Sequence, residues 1–307
     1  MTTKSNLARV LDSGQFAVTA EISPPQNTEF DTIIKNINLI KGYVDAFNVP
    51  DGQAAVVAMA SWAACLLGIR EGLDAILHMT CRDRNRIAIQ MDILAVSAFG
   101  VNNILCLSGD PIYFGNHPNA KPVFDLDSVQ LIRMVKRLRD EKKFDNGELI
   151  TGAEPRLFIG AAINPFTQPP DSSIDRLKDK VAAGADFVQT QPIYNIEAFK
   201  KWMQSIREAG LHKQTKILAG ITPVTSVAAA RYMKTKIPGM DIPDTIIERL
   251  RKARNKEEAA EEGIRIAVEA VNQLKQIEGV AGVHIMTLQR EEFVPKICTA
   301  AGLYPRP

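Results

Sequence analysis

The fold class this sequence predicts is α/β: a single (β/α)8 barrel of the TIM type, with extra helices before the last strand. Three observations predict it. First, residues 72–80, 100–110, 184–191 and 279–287 share one grammar: a glycine, a short polar step, an apolar run, then polar side chains. The glycine supplies the left-handed backbone that closes a helix, and the apolar run is what a strand buried on both faces looks like. Second, helical patterns alternate with such runs along the chain, to a count of eight strands, as in parallel sheets built from βα units. Third, no linker divides residues 1–307, a length that suits one barrel.

The elements follow in order. Residues 16–21 read as the first strand, ending in Glu21 before the turn at Pro24 and Pro25. Residues 28–40 read as a helix with Thr28 as N-cap and Asp31 three positions on. Residues 43–49 form the second strand, 54–69 a helix, and the third strand ends at His78. The helix at 85–99 places Ile87, Met91, Leu94 and Ala98 on one face. The fourth strand ends at Leu107, and the loop at 108–126 is long for a βα connection, a length that often marks function. A helix at 127–142 and a strand at 157–163 follow, then the loop at 164–170 and a helix closing at Gly184. The sixth strand carries Gln191, the seventh spans 217–221, and helices cover 196–209 and 224–236. Two further helices, at 244–254 and 255–277, precede the last strand, which ends near Met286. Asn255 caps the longer one, and its Ala260, Ile264, Ala267, Val271 and Leu274 form an apolar stripe. Residues 292–301 close the chain as a helix.

Composition excludes several classes. A net charge of +2 argues against nucleic acid or an anionic membrane as main partner. No apolar run approaches the ~20 residues that span a bilayer. The N-terminal residues lack the apolar segment of a secretory signal, and the four scattered cysteines suggest neither a disulfide framework nor a metal ribbon. The expectation is a cytoplasmic protein. The four histidines lie in separate places with no pair at ligand spacing, so no metal site is expected. The absence of a Gly-x-Gly-x-x-Gly or a P-loop pattern argues against a Rossmann or P-loop nucleotide domain.

In such barrels, chemistry sits at the C-terminal strand ends. Glu21 there is either a desolvated general acid or a carboxylate paired to a neighbouring cation. His78 is either a donor to an anionic ligand or a histidine bonded inside the barrel. Ser108, Gly109 and Asp110 leave a strand into the long loop: the glycine lets a flat ligand approach, and Asp110 offers a negative charge, or the group is a turn with an Asp cap. Gln189 and Gln191 alternate in phase and point the same way; Gln191 can read a heterocycle edge, while Gln189 suits a bond within the core. Lys180 reads from pattern as a surface lysine. Arg290 follows the last strand and either clamps an anion or pairs with Glu291, Glu292 or another acid. The basic run at 249–256 reads as a solvated helix face.

Eight motifs occur in one order: residues 20–25, 77–83, 106–110, 121–126, 178–186, 190–191, 220–224 and 287–290. Together they resemble the methylenetetrahydrofolate reductase family, from about residue 15 to 304. The resemblance implies a flavin-bearing barrel that reduces 5,10-methylenetetrahydrofolate to 5-methyltetrahydrofolate, with FAD as cofactor and FMN as the alternative. It implies that Glu21 is the general acid that assists ring opening at N10. Asp110 then bonds the pterin and favours the cationic iminium that accepts hydride, Gln191 reads the pterin, and Arg290 reaches the glutamyl tail. His78, Ser108, Gly109, Asp110 and Lys180 fall where the family contacts flavin.

The chain also departs from the family. Many members have arginine where Ser108 stands, an aromatic residue at Val227 that stacks on nicotinamide and folate, and tyrosine at Asp125 or Ile163. These departures weaken the inference that NAD(P)H, NADH included, binds directly. Some family members receive electrons through a partner subunit, so the alternatives are a partner-fed flavin subunit and an enzyme that oxidises methyltetrahydrofolate. The partners expected are folate, NAD(P)H or an electron-transfer subunit, in an oligomer or hetero-complex.

Overall fold

The computed structural model describes residues 5–169 and 171–306; the start of the N-terminal stretch and the end of the loop at 164–170 lie outside them. Eight strands close into a parallel barrel in sequence order: β1 Ala17–Glu21, β2 Ala46–Val49, β3 Ala75–Thr80, β4 Asn103–Leu107, β5 Phe158–Ile163, β6 Phe187–Pro192, β7 Lys216–Ile221 and β8 Val280–Ile285. Closure is by β1 against β8, with Ala20 opposite Ile285. The helices are α1 Asn6–Asp12, α2 Phe30–Ile40, α3 Ser61–Arg70, α4 Arg86–Ala98, α5 Ser128–Lys136, α6 Asp171–Ala183, α7 Ile196–Glu208, α8 Val227–Lys236, α9 Asp244–Arg251, α10 Lys256–Leu274 and α11 Phe293–Ala300. The two extra helices before the last strand are α9 and α10. Gly72, Gly100, Gly184 and Gly279, which open the four shared stretches, all take positive φ, from 76° to 117°. Among the described residues no helix is long and apolar enough to cross a membrane.

Side chains alternate across each strand. Outward-facing Val18, Phe47, Leu77, Ile104 and Val188 pack against the helices in the main core. Inward-facing Ala17, Ala46, Ile76, Leu105, Phe187 and Leu218 fill the N-terminal end of the barrel, where Leu7, Val10 and Leu11 of α1 plug it. That helix, capped by Ser5, carries no sequence signal beyond three apolar residues and was not expected. Gly160 makes room for the Phe187 ring, whose atoms would lie 2.3 Å from a Cβ there. This apolar plug leaves the upper barrel for polar side chains.

Several expectations need correction. The helix expected at 54–69 begins only at Ser61. Ahead of it, Gln53–Ala55 make one 3-10 turn with Ala54 and Ala55 at positive φ. Tertiary bonds hold this segment open: Ala54 N–H donates to Asp110 at 2.8 Å, and Met59 N–H donates to the Pro25 carbonyl at 2.9 Å. Thr28 is not the cap of α2; Glu29 holds that position without a side-chain bond. On α4 the stripe of Ile87, Met91, Leu94 and Ala98 faces outward, and Ile89, Ile93 and Val96 are buried instead. Apolar residues surround this helix, so periodicity alone admits either face. The basic run at 249–256 is laced with ion pairs: Arg249 to Glu262 and Glu269, and Arg254 to Glu258.

Candidate active site

A cavity of about 300 Å³ opens at the C-terminal end of the barrel. Its lining includes Glu21, His78, Ser108, Gly109, Asp110 and Gln191, which the sequence singled out, and also Asp51, Thr80, Arg82, Gln189, His284 and Met286. Every strand but β7, or the loop that follows it, contributes lining residues at this end of the barrel, above the apolar plug.

The floor is a buried hydrogen-bond network. Asn48 Nδ2 donates to Gln189 Oε1 at 2.7 Å, and Gln189 Nε2 donates back to Asn48 Oδ1 at 3.1 Å. Asn48 Nδ2 also lies 2.8 Å from His78 Nε2, Gln189 Nε2 donates to Thr19 Oγ1 at 3.1 Å, and Thr19 Oγ1 lies 3.0 Å from His284 Nδ1. Gln189 is thus the core amide its position suggested. Burial pushes His78 down to about 4, against the opposing pull of Asp51. Burial, with His78 nearby, pushes His284 to about 3. Both rings are neutral at physiological pH.

Glu21 ends β1 and is buried. Burial first, and the carboxylate of Glu291 second, push it from 4.5 up to about 7. Among the described residues no cation pairs with it, so the paired-carboxylate alternative falls. Gly109, at φ +97°, leaves β4 with its missing Cβ only 2.9 Å from Arg82 Cβ and 3.2 Å from Thr80 Cβ, and a side chain there would crowd both. Asp110 is exposed at the rim and holds the loop after β2 through Ala54 N–H. Ser108 Oγ accepts from Ser128 N–H at 3.2 Å, which ties the strand end to the start of α5.

Asp51 and Arg82 are among the cavity residues that the sequence did not single out. Asp51 is buried and accepts from Thr80 N–H at 3.0 Å, Thr80 Oγ1 at 2.8 Å and Arg84 at 2.7 Å and 3.2 Å. Burial opposes its charge, but Arg84 and Thr80 hold its carboxyl below the usual range. Arg82 is also buried; it pairs with Asp83 and donates to the Gly52 carbonyl at 3.1 Å. The Asp-Gly step after β2 and the alternating charges at 82–84 were the available signals.

Residues 6–302 match the methylenetetrahydrofolate reductase profile. The chain belongs to the methylenetetrahydrofolate reductase family. It is similar to methylenetetrahydrofolate reductase 2 of Schizosaccharomyces pombe, with 28% identity over 257 residues, covering 82% of this chain and 39% of that protein. The chain thus spans about two-fifths of that relative's length. It is also similar to the 5,10-methylenetetrahydrofolate reductase of Salmonella typhimurium, with 25% identity over 296 residues, covering 95% of this chain and 93% of that protein. A solved Clostridium thermocellum protein, described as binding two copies of 5-methyl-5,6,7,8-tetrahydrofolic acid, shares the fold at TM-score 0.66 and 16% identity, over 97% of this chain and 98% of its own.

Three residues that the motif resemblance singled out in the sequence lie away from the cavity lining. Lys180 is in the last turn of α6, not at a helix start. It is no free surface lysine either: it is half-buried and donates to the Ala162 carbonyl at 2.6 Å, and burial lowers its pKa. Its side chain leans toward the N-terminal end of its helix, as helical side chains do. Arg290 is exposed, pairs with Glu292 and lies 4.4 Å over the Phe293 ring. Val227 packs beside Tyr194, Ala230 and Met233 in a satellite cluster.

Proposed function

We propose that this chain reduces 5,10-methylenetetrahydrofolate to 5-methyltetrahydrofolate as a flavoenzyme. The observation that carries the reading is Glu21: a buried carboxyl with no cation partner among the described residues, held near pH 7, in one cavity with Asp110 and Gln191. A group that still holds its proton at neutral pH suits a general acid. The donor set fits a flat polar heterocycle. Gly109 lacks the side chain that would crowd Arg82 and Thr80, and the neutral histidines of the floor supply N–H donors without charge. FAD, with FMN as the alternative, supplies the hydride when bound.

The chain's own residues do the rest. Glu21 donates its proton as the five-membered ring opens at N10. Asp110 sets a negative charge beside the pterin, where a cationic iminium develops. Gln191 reads the pterin edge through its amide, and Arg290 exchanges Glu292 for the glutamyl carboxylates. Ser108, Gly109 and His78 would hold the flavin, and Lys180, which donates to the Ala162 carbonyl in this structure, would supply a cation for its phosphate.

One observation favours a partner-fed donor over direct NAD(P)H oxidation. No aromatic side chain is among the residues that line the cavity, so nicotinamide lacks a stacking platform. The experiment is to purify the chain, release and identify its chromophore, reduce it anaerobically with a low-potential dye, and add 5,10-methylenetetrahydrofolate. Flavin release and methyltetrahydrofolate formation are expected. A colourless protein that forms no methyltetrahydrofolate overturns the reading.

A further inference from the structure

The loop after β8 does something the reaction alone does not explain. It turns through Leu288 at φ 52° and Gln289 at φ 69°, two non-glycine residues in the left-handed region, which cost free energy unless their surroundings hold them there. The Thr287 backbone carbonyl accepts from Arg290 N–H at 3.2 Å, and the Glu291 backbone carbonyl accepts from Val294 N–H at 3.0 Å as α11 begins. The outcome is asymmetric. Glu292 stays exposed and takes Arg290 as partner, whereas Glu291 is turned inward to 5% exposure. The register of β1 against β8 sets Glu21 level with Met286, and both line the cavity; the turn closed by Arg290 N–H on the Thr287 carbonyl then brings the chain back with Glu291 buried behind it, and its charge acts on Glu21.

A buried carboxylate without a cation is costly. Among the described residues no ion pair reaches Glu21 or Glu291. Among the described residues, Arg82 of the cavity lining pairs with Asp83, Arg84 with Asp51 and Asp92, and Arg290 with Glu292, while Lys180 donates to the Ala162 carbonyl. Lys296 on α11 is exposed and acts on Glu292. Of the other titratable groups lining the cavity, His78 and His284 are neutral, Asp51 is neutralised by Arg84, and Asp110 is exposed. Two such carboxyls cannot both ionise cheaply.

We propose that Glu291 is a positioning residue for the acid: the two carboxyls hold one proton between them, the proton on Glu21 and the charge on Glu291. The inference rests on the reading of Glu21 as the proton donor and goes beyond it. Handing that proton to the substrate nitrogen leaves two neighbouring carboxylates, and their repulsion draws the next proton from water back to Glu21. Burial acts on Glu291 in the same direction, partly offset by its own backbone N–H, so the pair titrates as a unit.

The test is infrared titration of the protonated-carboxyl band in the full chain, in wild type, Glu21→Gln and Glu291→Gln, with Glu291→Ala in reserve should the amide not fold. Glu21→Gln is expected to remove the band seen at neutral pH. Glu291→Gln is expected to lower its midpoint by at least one pH unit, which means ~10-fold less protonated acid above the midpoint, and to move the alkaline limb of the turnover profile with it. A midpoint unmoved by either Glu291 variant overturns the proposal, as does a band lost in Glu291→Gln and retained in Glu21→Gln. The arms separate the two readings. A shifted midpoint in a protein that reduces no folate keeps the pair and sinks the functional reading. Folate reduction with an unmoved midpoint does the reverse.

Discussion

Replacing Glu21 by glutamine should make the protein more stable and less active, and the gain should depend on pH. In the folded chain this carboxyl titrates near 7, against 4.5 for an ordinary glutamate. Between those values the folded state holds a proton that the unfolded chain has released, so wild-type stability falls as pH rises through this window. At about 1.4 kcal/mol per pH unit, the full window corresponds to roughly 3 kcal/mol, an upper figure because the burial that causes the shift relaxes in part. Glutamine keeps the shape and never ionises. Urea denaturation of both proteins should show little difference at pH 4.5 and a variant advantage on the order of 2–3 kcal/mol above pH 8. Folate reduction should meanwhile drop by at least ~10²-fold with flavin retained. An equal stability difference at both pH values would falsify the claim that Glu21 is held protonated by its surroundings, and near-normal turnover would remove it from the role of acid.

Other outcomes follow from the same geometry. Asp51→Asn should cost on the order of 3 kcal/mol, since Arg84 loses a buried partner; because the carboxyl sits below its usual range, the deficit should shrink as pH falls below about 4, and a pH-independent deficit would count against the ion pair. Asp110→Asn should raise the flavin midpoint potential in spectroelectrochemical titration, because a negative charge near the ring disfavours the reduced anion; an unchanged or lower potential would place Asp110 away from it. The isolated chain should oxidise NADH and NADPH slowly and a low-potential artificial donor faster, with nicotinamide stacking weaker by ~1 kcal/mol; full bleaching by micromolar NADH within milliseconds in rapid-mixing absorbance would restore the direct donor.

The barrel was legible because its signal is repeated. Each helix-closing glycine precedes a doubly buried strand, and that pattern recurs too often to arise from local accident. What was illegible depended on contacts between distant segments. Nothing local separates the alanines at 54 and 55 from a helix; the Asp110 carboxylate decides it. The buried face of α4 was ambiguous because apolar residues lie all round it. Glu21 could be named from its strand end, but its titration depends on burial in the closed barrel and then on Glu291, 270 positions later and brought in as β8 closes on β1. Lys180 failed both as a surface lysine and as a helix-start residue, since its length lets a last-turn position reach Ala162 near the end of β5.

The floor network explains why the acid can stay protonated. Asn48 spends its two amide hydrogens on Gln189 and His78, and Gln189 spends its two on Asn48 and Thr19. His78 Nε2 must therefore accept, which puts its proton on Nδ1. The Thr19 hydroxyl, already accepting from Gln189, gives its own hydrogen to His284 Nδ1 at 3.0 Å more readily than to the Val283 carbonyl at 3.5 Å, which puts the His284 proton on Nε2. With both rings neutral each ring nitrogen that faces the network has its partner, and protonating His78 at Nε2 would set a donor against the Asn48 amide. An imidazolium at this depth would draw the proton off Glu21 by direct attraction. Asn48 opposes that at His78 by presenting a donor to Nε2, so that among the described residues burial and then the negative charge on Glu291 act on Glu21.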